Sequence, residues 1–264
     1  MGPSSKAAAP SCWVRSPVAR SSQPGRSGWW HRGRPLAGTP SSRTAACSAV
    51  TTGGAAAIAL VCGLDGVIRH FDVVAQSAVE ARHGLPEGAI AAACFSSPLL
   101  REAISGRVSD ATWRAASAQS LTPLVGVLAV EALRESSDVP VTLAADVLDL
   151  VGRVRARHPV VLLTNATDRL DQDLARLGLV EAFDVVVNTS TVGEPKPGRA
   201  AFAAAFAAVG TVLGRTPSPG RMAFVDDTPS NVLAAQGLGW RGHQFRDASG
   251  LHRFLADCGL LDRA

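Results

Sequence analysis

Apolar positions from residue 55 onward fall into short runs that end in small polar residues, with helical periodicity between them. "AAAIALVCG" (55–63) closes on glycine. "PVVLLTN" (159–165), "FDVVVNTS" (183–190) and "RMAFVDD" (221–227) close on hydroxyl, amide or carboxylate side chains, and "RGHQF" (241–245) is a weaker fifth run. Continuous aliphatic runs of this length predict strands buried on both faces, hence a parallel sheet. Between them, "DRLDQDLARLGL" (168–179), "RAAFAAAFAAVG" (199–210), "SNVLAAQGLG" (230–239) and "SGLHRFLADCG" (249–259) carry helical patterns. Strand and helix alternate, so the fold class is α/β: a doubly wound, Rossmann-like, mostly parallel sheet with right-handed crossovers.

The first and second runs are separated by about 90 residues of helical pattern, including "FDVVAQSAVEARHGL", "SDATWRAASAQS" and "LAADVLDLVGRVRARH". That is too long for one connection. It predicts a helical cap over residues 70–145, inserted into a core made of residues 55–69 and 146–264. The last of these helices returns the chain to the core.

Residues 1–54 lack this pattern. They are rich in Ser, Gly, Pro and Arg, and such a segment buries too little surface to offset its ordering entropy. It reads as a disordered basic leader, as an organelle transit peptide, or as the product of a start codon set too far upstream. Its charge changes how the chain's net +4 is understood. No Asp or Glu precedes Asp65, whereas seven basic residues do: Lys6, Arg15, Arg20, Arg26, Arg32, Arg34 and Arg43. Setting those aside leaves 19 of the 26 basic residues against 22 acidic ones, a net −3. The folded part is therefore mildly acidic, and nucleic acid is not an expected partner. The five cysteines form no C-x-x-C pair and are odd in number, which suits a reducing, cytoplasmic setting better than a disulfide framework. No apolar run approaches the roughly 20 residues of a membrane span, so no membrane partner is expected.

The candidate chemistry lies at the run ends, where open parallel sheets bind ligands. The first run supplies Gly63, Asp65 and Gly66, the second Thr164 and Asn165, and the fourth Asp226 and Asp227. The loop after the third leads to Lys196 in "GEPKPG". Clustered carboxylates suit a hard cation such as magnesium. A lysine and a hydroxyl beside them suit a phosphoryl group. Taken singly, each element is also ordinary: "DG" is a turn signal, "TN" a helix cap, and "DD" before "TPSN" a capped helix start.

The order "hhhh-x-x-D-G-V", "VVLLTN", "PKP" and "AFVDD…N" resembles the haloacid dehalogenase (HAD) superfamily over residues 57 to about 260. The helical insertion after the first motif resembles the subgroup of phosphoglycolate phosphatases and the phosphatase domain of epoxide hydrolases. By this resemblance, Asp65 is the general acid/base, with its backbone carbonyl on Mg2+. Thr164 and the Asn165 backbone hold the transferring phosphoryl group, and Lys196 neutralises its charge. Asp226 binds Mg2+ directly or through water, Asp227 completes the metal environment, and Asn231 braces that loop.

The chain departs from the family at two glycines. The family pattern begins D-x-D-G, its first aspartate being the covalent nucleophile and a metal ligand; here it reads Gly63-Leu64-Asp65-Gly66. Cys62 is adjacent, but strand side chains alternate faces, so it is expected to point into the helices. The vacated position leaves Lys196 without its expected ion-pair partner and weakens magnesium binding. At Gly198 the family often has Asp, and the expected loss is a bracing hydrogen bond. Asp and Gly codons differ by one base, so a sequencing error, a natural variant and a deliberate knock-out all stay open for Gly63.

Three functions follow. The first is magnesium-dependent hydrolysis of a small phosphorylated metabolite, impaired or running through water. The second is a pseudophosphatase that binds a phosphate anion, a phospholigand or a partner without turnover. The third is a haloacid dehalogenase, which needs the same missing nucleophile and has no need of the Asp226–Asp227 pair. The resemblance implies a monomer or homodimer. In the cap, Arg69, His70, Arg101, Arg107 and Trp113 either face the substrate or are solvated and packing residues.

Overall fold

In the computed structural model, described over residues 56–263, strand β1 (Ala59–Cys62) lies at the centre of a five-stranded sheet. The expected leader, residues 1–54, lies outside the described residues. All four β1 residues are buried, as a strand covered on both faces requires. Strand β2 (Arg69–Phe71) follows, then helices α1 (Val73–Arg82), α2 (Ala89–Phe95), α3 (Pro98–Ile104), α4 (Asp110–Val125) and α5 (Ala129–Asp138). Strand β3 (Val141–Leu143) and α6 (Ala145–Arg155) return the chain to the sheet. The remaining elements are β4 (Val160–Thr164), α7 (Leu170–Arg176), β5 (Val185–Asn188), α8 (Thr189–Val192), α9 (Arg199–Leu213), β6 (Met222–Asp226), α10 (Pro229–Gly237), β7 (Arg241–Gln244) and α11 (Ala248–Asp257).

The large sheet runs β5-β4-β1-β6-β7 and every pairing in it is parallel. Alternation along β1 splits the core into two layers. Leu60 and Cys62 pack with Val147, Leu150 and Val151 of α6 and Leu251 and Leu255 of α11. Ala59 and Val61 pack with Phe202 and Ala205 of α9 and Val232 of α10. Helices on both faces make the sheet doubly wound. Phe202, Phe224 and Trp240 pack edge to face, with ring centroids 5.3 to 6.3 Å apart.

The insertion is not wholly helical, contrary to expectation. β2 and β3 pair antiparallel, with His70 opposite Thr142, and this two-stranded ribbon is the stem on which α1–α5 stand. Three-residue strands are too short to show period-two patterning, and their pairing joins residues some 70 positions apart. Inside the cap, Trp113 is fully buried and donates from Nε1 to the Cys94 carbonyl at 3.0 Å, so it is a packing residue.

The cap also touches the core away from its stem. Thr167 Oγ1 donates to Asp110 Oδ1 at 2.9 Å, Asp110 N donates to Asp168 Oδ1 at 2.9 Å, and Thr189 Oγ1 donates to the Ile104 carbonyl at 2.8 Å. One stretch, Asp110–Asp138, is apolar and long enough to cross a membrane by length and composition, a longer apolar stretch than the sequence pattern suggested. It is broken at Gly126, whose φ of +59° separates α4 from α5, and those two helices pack on one another.

Candidate active site

The winding of the sheet changes direction at β1: the chain moves outward to β4 and β5, then crosses back to β6 on the other side. Such a switch point opens a crevice beyond the carboxyl ends of the strands. Gly63 follows β1 there, with Thr164 at the end of β4 and Asp226 at the end of β6.

Lys196 enters from the turn between α8 and α9. The Asn165 side chain clasps its backbone: Lys196 N donates to Asn165 Oδ1 at 2.8 Å, and Asn165 Nδ2 donates to the Lys196 carbonyl at 3.1 Å. The end of β4 thereby fixes where the ammonium goes. Nζ donates to Asp226 Oδ2 at 2.7 Å and to the Leu163 carbonyl at 2.8 Å, and the residue is 8% exposed. Lys196 thus has an ion-pair partner, contrary to expectation. The sequence could not show this, because the pair depends on how closely the ends of β1, β4 and β6 converge.

Asp226 is 3% exposed and its other oxygen is also engaged. Oδ1 accepts from Thr228 N at 3.0 Å and from Asn231 Nδ2 at 2.9 Å. Asp227 Oδ1 accepts from Thr228 Oγ1 at 3.1 Å, and its backbone carbonyl accepts from Gln244 Nε2 at 3.2 Å. Thr164 is buried at the end of β4, its backbone in register with Asn188.

Gly63 sits among these groups. Its N–H donates to the Val225 carbonyl at 2.9 Å. A Cβ there would stand 3.0 Å from Asp226 Oδ2 and 3.6 Å from Lys196 Nζ. Any side chain at position 63 would therefore begin beside the ion pair of Lys196 and Asp226, nearer the carboxylate. Cys62 belongs to the opposite layer, and burial pushes its thiol up to about 12, with the Lys196 charge lowering it less and Asp226 raising it. A thiol that stays protonated is a poor nucleophile, so Cys62 does not substitute.

Asp65 lies in a tight turn closed by Gly66, whose φ is +74° and whose N–H donates to the Arg69 carbonyl at 2.9 Å. Both Asp65 oxygens accept from Arg69, from Nε at 2.7 Å and Nη2 at 3.1 Å. Arg69 is 1% exposed, so it is neither solvated nor open to substrate. The four-residue spacing from Asp65 was the available signal for this pair. Of the other cap candidates, Arg107 is exposed and bound to Glu102, Arg101 is exposed, and His70 lies 6.5 Å from Phe245.

At the second glycine the neighbourhood compensates. A Cβ on Gly198 would come within 2.4 Å of the Glu194 side chain, and Glu194 Oε2 accepts from Ala200 N at 2.6 Å. The bracing hydrogen bond expected to be lost at Gly198 is made by Glu194 instead.

Asp226 and Asp227 stand at the end of β6 as oxygen donors for a magnesium ion, but as arranged their side chains are already engaged. Magnesium asks for charged oxygens free to coordinate. Asp226 is committed to Lys196, Thr228 and Asn231, and Asp65 to Arg69. Among the described residues, no three His, Cys, Asp or Glu side chains are grouped to hold one ion. A cleft of about 560 Å³ lies at the seam of cap and core, lined in part by Arg107, Ser109, Asp168, Asn188 and Ser190 and by none of the motif residues.

Residues 59–239, more than half the chain, match the family of haloacid dehalogenase-like hydrolases. The chain belongs to that family. No curated protein matches it. Among solved structures, a predicted HAD-like family hydrolase from Porphyromonas gingivalis is 24% identical, with a TM-score of 0.53 over 72% of this chain and 91% of its own. A HAD family enzyme from Bacteroides thetaiotaomicron is 20% identical, with a TM-score of 0.56 over 75% of this chain and 100% of its own. The wild-type form of the Bacteroides enzyme in complex with magnesium and inorganic phosphate is 19% identical, with a TM-score of 0.54 over 72% and 94%. These likenesses establish the HAD fold, a parallel core with an inserted helical cap.

Proposed function

We propose that this HAD-like chain is a hydrolase of phosphomonoesters of a small metabolite, impaired at Gly63. One observation carries the reading. Position 63 opens beside the Lys196–Asp226 ion pair, its would-be Cβ 3.6 Å from the ammonium and 3.0 Å from the carboxylate, yet it carries no nucleophile. Two of the three Lys196 N–H donors are engaged, by Leu163 and Asp226, and the third is available for a phosphoryl oxygen. Thr164 is the hydroxyl on the β4 side of that phosphoryl group, with Asp65 as the acid/base. Attack then falls to water. Covalent catalysis is forgone, and losing a nucleophile commonly costs on the order of 10⁴ to 10⁶ in rate.

Phosphate as the ligand class is supported by the Bacteroides relative, crystallised with magnesium and inorganic phosphate both as wild type and as an aspartate-to-alanine mutant. Magnesium binding in the present chain is weakened, because the remaining carboxylates already have partners. Hydrolysis of p-nitrophenyl phosphate with magnesium, by the native chain and by Gly63→Asp, tests the reading. Activity in the variant and little or none in the native chain is the expected result. Equal activity in both would show that position 63 is not the nucleophile site. Inactivity of both would favour the non-catalytic binder. A dehalogenase would need the same missing carboxylate and would leave the Asp226–Asp227 pair without a role.

A further inference from the structure

Arg69 belongs to none of the four motifs, yet it is among the largest fully buried side chains of the molecule. Its guanidinium holds both oxygens of Asp65, at 2.7 and 3.1 Å. On the far side, Nη1 lies 3.9 Å from Asp173 of α7, and the ring of Phe71 lies 5.3 Å away. Its backbone is tied as tightly. Arg69 N donates to the Leu64 carbonyl, Gly66 N donates to the Arg69 carbonyl, and Arg69 pairs with Leu143 in the cap stem. A single residue therefore joins the candidate acid/base, the ribbon that carries the cap, and a core helix.

We infer that Arg69 is a positioning residue that couples the seating of the cap to the reach of Asp65. This rests on the reading of Asp65 as acid/base. When Asp65 protonates a leaving group, the attacking oxygen (of water, or of the carboxylate in Gly63→Asp) bonds to phosphorus as the ester P–O bond breaks, a proton moves from the Asp65 carboxyl to the departing oxygen, and a carboxylate remains. The oxygen that delivers the proton must first leave Arg69. The guanidinium cannot follow it freely, because Asp173 and the β2–β3 pairing hold it. Movement of the ribbon relative to α7 is the motion that releases or recaptures the carboxylate. A buried Arg with five N–H donors suits this better than a lysine, since its planar fork fixes both oxygens at once.

Two measurements decide the matter. In the native chain, Asp65→Asn keeps shape but breaks the charge pair. Amide hydrogen exchange at residues 69–71 and 141–143 is expected to quicken about tenfold or more, with the interior of the cap around Trp113 unchanged. Unchanged exchange in the ribbon would overturn the coupling. In the Gly63→Asp background, Arg69→Lys is expected to lose about tenfold more activity on glycerol 2-phosphate, whose alkoxide must be protonated, than on p-nitrophenyl phosphate, whose phenolate leaves unaided. Equal loss on both esters would overturn the positioning role. If Gly63→Asp is silent on both esters, the phosphatase reading is what has failed, and the exchange result alone decides the role of Arg69.

Discussion

Gly63 and Gly198 are the two glycines at which the resemblance to the HAD pattern leads one to expect an aspartate, and their surroundings differ. Beside Gly198, Glu194 fills the space a side chain would take and caps Ala200 N at 2.6 Å. Beside Gly63, the closest groups are Asp226 and Lys196, and they have paired with each other. The difference lies in what each job demands. Capping needs only an oxygen within reach of one amide, so a neighbour four residues away can take it over. A nucleophile needs one atom in one place in line with the leaving group, and no nearby side chain can be turned to that point.

Gly63→Asp tests this contrast most severely. A gain on the order of 10⁴ in turnover of p-nitrophenyl phosphate is expected from restoring a nucleophile, and a gain of less than tenfold would show that the other motif residues have also lost their function. Next in size is Lys196→Met. It strands Asp226 as a buried charge, which costs roughly 3–5 kcal/mol. Urea unfolding should show that loss, and a loss near zero would mean the pair is more hydrated than its burial implies.

The second glycine gives smaller effects. Gly198→Ala should destabilise by about 1–3 kcal/mol through overpacking, because its Cβ would press on Glu194 and on the Pro195 carbonyl at 2.7 Å. Glu194→Ala should cost about 1 kcal/mol as a lost cap. The double variant should cost less than the sum, since removing Glu194 relieves part of the clash. Simple additivity would break the claim that Glu194 has moved into the space at Gly198. Smallest is the effect of pH. Burial lowers the pKa of His243 and of His158 from an ordinary value near 6.5. The unfolded chain therefore binds protons first on acidification, and stability contributed by the neutral rings above pH 6.5 is lost as pH falls through the folded values. The melting temperature should drop between pH 7 and 5, and His243→Gln should flatten that slope.

Much of this was legible in the sequence because it is local. Runs such as "PVVLLTN" and "RMAFVDD" carry strand burial and terminal chemistry in a few consecutive residues, and the observed β4 and β6 fall inside them. The ribbon of β2 and β3 was not legible, since neither half has a pattern of its own. The long-range partners of Lys196 and Arg69 were also hidden. Lys196 meets Asp226 across 30 residues, and Arg69 comes within 3.9 Å of Asp173, far along the chain from it.

By itself, then, the sequence determined the α/β class, the inserted cap, the order of the motif residues and the absence of a carboxylate at Gly63. These follow from periodicity and residue identity, which short-range chemistry fixes. Only the tertiary structure decided that Asp226 neutralises Lys196, that Glu194 replaces the brace missing at Gly198, and that Arg69 grips Asp65. Each of those depends on distances of about 3 Å between groups from converging segments or around a folded turn, and spacing along a chain does not specify such distances.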